Sequence, residues 1–198
     1  MTNSEGREKE QAMAVKEVRL PLTMETLRDL RAGDRVRLTG TLLTGRDAAH
    51  KRLAALLAQG KELPVSLQGE TIYYVGPAPA RPGQAVGSAG PTSSYRMDAY
   101  TPPLLELGLM GMIGKGRLGP LTMEAMRRHP SVYFGAVGGT AVLISKSVLK
   151  SEVAAYPDLG PEAIYRFTVE GLPAVVAIDM YGGTLYEEGP KLYRETQV

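Results

Sequence analysis

Three short polar stretches of the chain each combine glycine with a cationic side chain. Their cations are Arg46, Arg96 and Lys115. A guanidinium can bind a carboxylate or phosphate through two parallel hydrogen bonds, whereas an ammonium supplies a compact point charge. The three stretches are therefore candidates for binding a small anion.

The first stretch, residues 44–51, reads as a junction between a strand and a helix. Backbone N–H groups at the start of a helix favour an anion, and Arg46 at this point could bind a carboxylate. Asp47 or Thr44 could instead simply cap the helix. The stretch alone leaves both interpretations open.

The second stretch, residues 90–98, places three consecutive hydroxyl side chains, beginning at Thr92, next to Arg96. Such a polar nest suits a carboxylate or phosphate. The alternative is a cluster of helix caps in which Arg96 pairs with Asp98 or Glu106. Hydroxyl caps are common, so this motif is also weak in isolation.

The third stretch is Gly114-Lys115-Gly116, after an apolar run. Paired glycines let the backbone approach a ligand closely, although such a tripeptide is more often only a turn. The spacing of a P-loop is absent, and so is the Gly-x-Ser-x-Gly elbow of serine hydrolases. Glycines at 135–139 lack the dinucleotide fingerprint and are better explained by close packing of a helix against a strand.

Strand and helix patterns alternate between about residues 35 and 180, which predicts an α/β fold with a mixed sheet. Residues 1–13 are too polar to bury a core and are expected to form a disordered arm, so that 14–198 would be a single domain. Near the C-terminus, a turn at Gly171-Leu172-Pro173 is expected to separate two strands. Gly182-Gly183 is expected to open a hairpin. A helix is expected from Gly138-Gly139 to about Leu149.

The composition excludes several classes of site. The chain of 198 residues has no cysteine, so disulfides, thiol nucleophiles and thiolate-held zinc or iron–sulfur sites are excluded. With only two histidines, a metal site made from this chain alone is not expected either. A net charge of +2 gives no case for nucleic acid or a membrane surface. Neither a secretory signal nor an apolar run of about 18 residues is present, so a cytoplasmic location is expected.

The order of the motifs carries a family resemblance that no single motif does. The β subunit of class I fumarate hydratases and tartrate dehydratases is similar to this chain over roughly residues 15–190. The similarity rests on four motifs in the same order: Gly45-Arg46-Asp47-Ala48-Ala49-His50, Gly90-Pro91-Thr92-Ser93-Ser94-Tyr95-Arg96-Met97-Asp98, Ile113-Gly114-Lys115-Gly116 and Gly138-Gly139.

The resemblance implies a swivelling β/β/α fold, with a mixed sheet flanked by helices. It also implies a [4Fe-4S] cluster held by three cysteines of a separate α subunit, over which the β part closes. In that arrangement Arg46, Arg96 and Lys115 bind the substrate carboxylates, and Thr92 exchanges the substrate proton. No metal or cofactor ligand is implied on this chain.

The sequence departs from the family pattern at two positions. Ser93 replaces a threonine and keeps its hydroxyl, whereas Tyr95 stands where glycine is frequent. Tyr95 could narrow the pocket or alter the choice of substrate.

The chemistry fits these roles. A four-carbon dicarboxylate needs cations for its two charges, and removal of the proton next to a carboxylate builds enolate-like charge that the same cations stabilise. The departing hydroxide needs a Lewis acid, which an open cluster iron would supply. Thr92 needs activation to act as a base.

The sequence therefore predicts the β subunit of a two-subunit hydro-lyase that interconverts fumarate and (S)-malate and is active only with its α subunit. The resemblance implies a hetero-oligomer with the α subunit, for which two α and two β chains are expected. The alternatives are the β subunit of L(+)-tartrate dehydratase and a non-catalytic anion-binding partner module.

Overall fold

A computed structural model describes residues 14–136 and 141–194 of the chain. The arm expected at residues 1–13 lies outside the described residues, and so does Gly138-Gly139. The described strands are β1 (Val15–Arg19), β2 (Arg35–Thr44), β3 (Thr71–Tyr73), β4 (Gly111–Gly114), β5 (Val132–Gly135), β6 (Val148–Ala155) and β7 (Ile164–Ile178). The described helices are α1 (Met24–Asp29), α2 (Asp47–Ala58), α3 (Thr101–Glu106), α4 (Pro120–Arg128), α5 (Ala141–Lys146) and α6 (Leu185–Arg194), with 3₁₀ segments at Ser94–Met97 and Pro157–Glu162.

The seven strands form one mixed sheet in the order β1-β2-β3-β4-β5-β7-β6. Strands β1 to β5 pair with one another in parallel, in that order. Strand β7 runs antiparallel to β2, β5 and β6. Because β7 also pairs with β2, strands β2, β3, β4, β5 and β7 close into a ring. The predicted α/β fold with a mixed sheet flanked by helices is confirmed.

The core has two parts, on the two faces of the curved sheet. Neighbouring residues of one strand point to opposite faces, and accordingly Phe134 belongs to one apolar cluster and Tyr133 to the other. The second cluster also contains Leu53 of α2, Leu104 of α3 and Ala125 of α4. These helices therefore cover one face of the sheet and fix its parallel strands.

Strand β7 is one continuous element of 15 residues, so the predicted turn at Gly171-Leu172-Pro173 is wrong. Leu172 pairs with Leu38 of β2, and a register shift beside this pair accommodates Gly171, whose φ is +61°. The glycine bends the strand without ending it, because β2 continues to pair on both sides of the irregularity.

Two further local predictions are wrong. The helix expected to reach Leu149 ends at Lys146, because Leu149 lies in β6, which is paired with β7. The hairpin expected after Gly182-Gly183 is a single bridge between Ile178 and Thr184, followed by α6. In both cases tertiary pairing, which the local pattern does not contain, decides the element.

Candidate functional site

The four predicted site residues lie beyond the carboxyl ends of three adjacent parallel strands. Arg46 follows β2, Lys115 follows β4, and Thr92 and Arg96 belong to the long connection after β3. Strands β2, β3 and β4 are neighbours in that order, so their carboxyl ends meet at one edge of the sheet. Open crevices at such an edge are the usual place for a ligand in parallel sheets.

Backbone hydrogen bonds hold Thr92 between the extensions of β3 and β4. The Thr92 N–H donates to the Tyr74 carbonyl at 2.6 Å, and the Lys115 N–H donates to the Thr92 carbonyl at 3.3 Å. The Ser94 N–H then donates to the Lys115 carbonyl at 3.0 Å. The long connection therefore returns to the sheet and brings Thr92, which is only 8% exposed, alongside the exposed Lys115.

Arg46 occupies the N-cap position of α2 and is held by an acid from far along the chain. Its Nη2 donates to Glu162 Oε1 at 2.8 Å, while the other oxygen of Glu162 accepts the Ala48 N–H at 2.9 Å. The hydrogen bond from Arg46 holds the pKa of Glu162 below its usual value, and Glu162 in turn raises the pKa of Arg46. Glu162 thus caps the helix with one carboxylate oxygen and holds the Arg46 guanidinium with the other.

The Arg46 side chain also depends on a close approach of the backbone. A Cβ at Gly76, just after β3, would lie 3.0 Å from Arg46 Nη1. Glycine leaves room for the guanidinium to lie against the chain there. The Nε of Arg46 is buried and has no hydrogen-bond partner among the described residues.

Arg96 binds Asp47 through two hydrogen bonds, from Nε at 3.0 Å and from Nη2 at 2.6 Å. The alternative pairing with Asp98 or Glu106 is wrong, because Asp98 accepts the N–H groups of Leu121 and Thr122 and so caps α4. Asp47 is the first residue of α2, and both of its carboxylate oxygens accept from Arg96, so it orients the second arginine of the candidate site instead of capping the helix.

A hydroxyl network supports the turn that carries Lys115. Ser94 Oγ lies 2.8 Å from Tyr133 Oη, and the hydroxyls of Tyr133 and Tyr186 donate to the Gly116 carbonyl at 2.8 and 2.7 Å. Burial raises the pKa of the Tyr133 hydroxyl, which keeps it protonated as a donor. Gly116 has a φ of +72°, which side chains other than glycine rarely adopt.

His50 lies buried beneath the first turn of α2. Its Nδ1 is 3.0 Å from the Arg46 carbonyl, and its ring packs edge-on against Tyr74 with centroids 5.3 Å apart. Burial lowers the pKa of His50 to about 4, so the ring is neutral at physiological pH. His50 therefore supports the backbone of Arg46 and carries no charge toward the anion site.

The four residues named from the sequence lie at one edge of the sheet, but the residues that hold them in place were not predicted. Glu162 could not be assigned because 116 positions separate it from Arg46, and no local motif marks it. Tyr133 and Tyr186 were missed for the same reason. His50 did carry a signal, since it stands four residues after Arg46 and so lies one turn further along the same face of the helix.

Taken together, the site offers three cations and two carboxylates, and the carboxylates orient the two guanidinium groups. Among the ion pairs described for residues 14–136 and 141–194, none involves Lys115. The same residues contain no group of three or more side chains able to hold a metal ion. No helix in this part of the chain is long and apolar enough to cross a membrane. The arrangement suits a small organic anion.

Comparison with known proteins agrees with this chemistry. The family profile "Fumarase C-terminus" matches residues 2–189. The chain is 41% identical over 156 residues to "Fumarate hydratase class I, anaerobic" of Escherichia coli (strain K12), a match that covers 78% of this chain and 28% of that protein. It is 35% identical over 158 residues to "Fumarate hydratase 2" of Leishmania major, again covering 28% of the relative.

One relative matches this chain over most of the length of both proteins. The "L(+)-tartrate dehydratase subunit beta" of Escherichia coli (strain K12) is 36% identical over 180 residues, and the match covers 88% of each chain. By contrast, the chain spans only between 27% and 33% of the length of the fumarate hydratases that it matches. The chain belongs to the fumarase C-terminus family.

Proposed function

We propose that this chain is the β subunit of a two-subunit hydro-lyase that reversibly hydrates fumarate to (S)-malate. The observation that carries the proposal is the convergence of Arg46, Thr92, Arg96 and Lys115 at the carboxyl ends of three parallel strands. The relatives named above, which are hydro-lyases by their names, support the reaction class. Residues 14–198 would act as a single catalytic domain in the cytoplasm.

In this proposal the two arginines and Lys115 bind the carboxylates of the substrate. Asp47 and Glu162 hold the guanidinium groups in fixed orientations, so little side-chain entropy is lost when the substrate binds. Arg96 uses Nε and Nη2 for Asp47, which leaves its Nη1 to face a ligand. The cations also stabilise the enolate-like charge that develops when the proton next to a carboxylate is removed.

Thr92 is proposed to hold the exchanging proton at its Oγ1. A hydroxyl is a weak base at its ordinary pKa and needs a neighbouring cation or base for activation. Lys115 lies next to Thr92, because its backbone N–H donates to the Thr92 carbonyl. Its ammonium group is therefore the cation proposed to activate the Thr92 hydroxyl. Burial of Thr92 keeps the exchanged proton away from bulk water.

An iron–sulfur cluster does not fit the residues of this chain. The sequence has no cysteine, and its described residues offer no cluster of three acidic or histidine ligands. We therefore propose that a [4Fe-4S] cluster is held by a separate α subunit, with which this chain forms a hetero-oligomer. The chain's own part would be to bind and orient the substrate and to exchange its proton.

A second candidate substrate is tartrate, which differs from malate by one more hydroxyl group. The similar extent of the tartrate dehydratase β subunit supports this candidate. Tyr95, in the loop that carries Thr92 and Arg96, is 65% exposed and would be placed to select between the substrates.

The experiment combines this chain anaerobically with its cluster-bearing α subunit and measures hydration of fumarate and dehydration of both tartrate isomers. We expect hydration of fumarate by the mixture and no turnover by this chain alone. Faster turnover of one tartrate isomer would favour the second candidate. If the purified chain alone is fully active, or if the reconstituted mixture turns over none of these substrates, the proposed function is wrong.

A further inference from the structure

The start of helix α6 packs on the turn that carries Lys115. The Tyr186 hydroxyl donates to the Gly116 carbonyl at 2.7 Å, and Nη2 of Arg117 donates to the Tyr186 carbonyl at 3.1 Å. The Arg117 guanidinium also lies 5.5 Å from the centroid of the Tyr186 ring. Tyr186 therefore contacts the two residues that directly follow Lys115.

The segment that leads from β7 to Tyr186 is fixed to the sheet. Asp179, which directly follows β7 and is only 5% exposed, accepts the N–H groups of Tyr181 and Gly183 on one carboxylate oxygen, both at 2.9 Å. Thr184 forms an antiparallel bridge with the last residue of β7. Because the connection is bonded in this way, the position of Tyr186 follows from that of the sheet.

The Gly116 carbonyl accepts a second hydroxyl, that of Tyr133, at 2.8 Å. A tyrosine hydroxyl has one proton to donate, so the hydrogen bond of 2.8 Å between Ser94 Oγ and Tyr133 Oη is donated by the serine. Ser94 belongs to the same connection as Thr92. One carbonyl thus joins the segment that carries Thr92, the turn that carries Lys115 and helix α6.

Lys115 is oriented differently from the two arginines of the candidate site. Asp47 and Glu162 hold the guanidinium groups directly, whereas among the described residues Lys115 makes no ion pair. A lysine side chain has many rotamers, so an unpaired one is directed mainly by its backbone. The direction of this side chain therefore depends on the turn, where the next residue, Gly116, has a φ of +72°.

We propose that Tyr186 is a positioning residue that directs Lys115 toward the substrate, an inference that rests on the proposed function of the site. By fixing the Gly116 peptide, the Tyr186 hydroxyl narrows the range of directions open to the Lys115 side chain. A displacement of about 1 Å in the geometry of a site can lower turnover about a hundredfold, so one hydrogen bond to the turn has a measurable effect. Burial raises the pKa of the Tyr186 hydroxyl, and the group therefore remains a donor at neutral pH.

Tyr186 is a cleaner test of this role than Tyr133. The ring of Tyr133 is fully buried in the core and its hydroxyl also bonds Ser94, so its substitution would disturb the fold. Tyr186 is half-buried, and Tyr186→Phe removes the hydroxyl while keeping the ring. The matched control is Tyr181→Phe, which removes a hydroxyl that donates to a carbonyl elsewhere, that of Arg28 at 3.2 Å.

The first experiment examines the turn without any activity. Amide hydrogen exchange, followed by NMR on the full chain, reports how often the hydrogen bond from the Lys115 N–H to the Thr92 carbonyl opens. We expect Tyr186→Phe to speed exchange at Lys115 about threefold to tenfold, as the loss of one ordinary hydrogen bond implies, and to leave the amides of α2 unchanged. Tyr181→Phe should leave the rate at Lys115 as in the wild type. Equal rates at Lys115 in the wild type and in Tyr186→Phe would overturn the proposal.

The second experiment asks whether Tyr186 acts through Lys115. Succinate, a four-carbon dicarboxylate without a double bond to hydrate, is titrated anaerobically against the complex with the α subunit, and its dissociation constant is measured. We expect Tyr186→Phe to weaken binding about threefold to tenfold in the wild-type background and not at all in the Lys115→Ala background. Equal weakening in both backgrounds would show that Tyr186 serves only the fold.

The kinetics separate this inference from the proposed function. In the reconstituted enzyme Tyr186→Phe should lower kcat/KM about threefold to tenfold, mainly through KM. If the wild-type complex hydrates fumarate and Tyr186→Phe matches it, the positioning role alone is wrong. If the wild-type complex turns over neither fumarate nor tartrate, the proposed function is wrong, whatever the exchange rates at Lys115.

Discussion

Arg96 donates two hydrogen bonds to Asp47, from Nε at 3.0 Å and from Nη2 at 2.6 Å, so that both carboxylate oxygens are engaged. Asp47 is the first residue of α2, and its neighbour Arg46 is held in turn by Glu162. The carboxyl group of Glu162 also responds to Arg96, whose charge lowers the pKa of this acid further. The two guanidinium groups are therefore oriented by one connected set of ion pairs around the start of a single helix.

Asp47→Asn should weaken substrate binding more than it weakens the fold. The variant loses the charge that orients Arg96, and we expect kcat/KM of the reconstituted enzyme to fall about tenfold, mainly through KM. Because the pair is partly exposed, the free energy of unfolding should change by less than about 1 kcal/mol.

The matched control is Asp158→Asn, which breaks another bidentate pair, made with Arg52 further along α2. Its kinetics should equal those of the wild type. Equal effects of both substitutions on KM would contradict the special role of Asp47.

Arg96→Ala and Lys115→Ala should each abolish turnover, because each removes a cation proposed to bind the substrate and stabilise developing negative charge. We expect kcat/KM to fall at least about a hundredfold. Both side chains are largely exposed, so circular dichroism and thermal unfolding should resemble the wild type. Lys61→Ala is the control. Normal kinetics in either site variant would remove that residue from the site.

Gly114→Ala should destabilise the protein. A Cβ at residue 114 would overlap Ser94 Oγ and press on the Tyr74 ring, and both neighbours are buried. Overpacking of this kind costs about 1–3 kcal/mol, which urea unfolding can measure. Gly189→Ala is the control, because a Cβ there meets no atom within 4 Å and alanine favours a helix. Unchanged stability in the Gly114 variant would show that Ser94 and Tyr74 can move to accommodate a Cβ.

His50 should make stability depend on pH between about 4 and 6.5. Burial lowers its pKa in the folded state to about 4, so the unfolded chain binds the proton more readily. The sign follows: stability is complete above pH 6.5, falls as the pH drops through this window, and levels off below the folded pKa. The difference of about 2.5 pKa units corresponds to about 3 kcal/mol.

Urea unfolding at several pH values measures this slope. We expect His50→Gln to remove most of it and His129→Gln, at the only other histidine, to retain it. If the free energy of unfolding of the His50 variant still falls with pH in this window, the dependence comes from the carboxyl groups.

Much of the fold and site was predictable because the signals were local. Glycine, a cation and a helix start stand together around Arg46, and hydroxyls stand next to Arg96, so these side chains could be named as candidates without a structure. The supports could not, because Glu162, Tyr133 and Tyr186 reach the site only through sheet pairing. The continuity of β7 was unpredictable for the same reason: Gly171 and Pro173 resemble a turn until β2 is placed beside them.

Strand β2 lies near the start of the chain and β7 near its end, yet the two strands pair, with Val36 opposite Ala174. A nascent chain leaving the ribosome therefore carries its first strands for most of synthesis with one edge open. Contacts so distant along the sequence also slow folding. We expect ribosome-stalled chains that end before Ile164 to be cleaved readily by protease, and chains that include all of β7 to resist it.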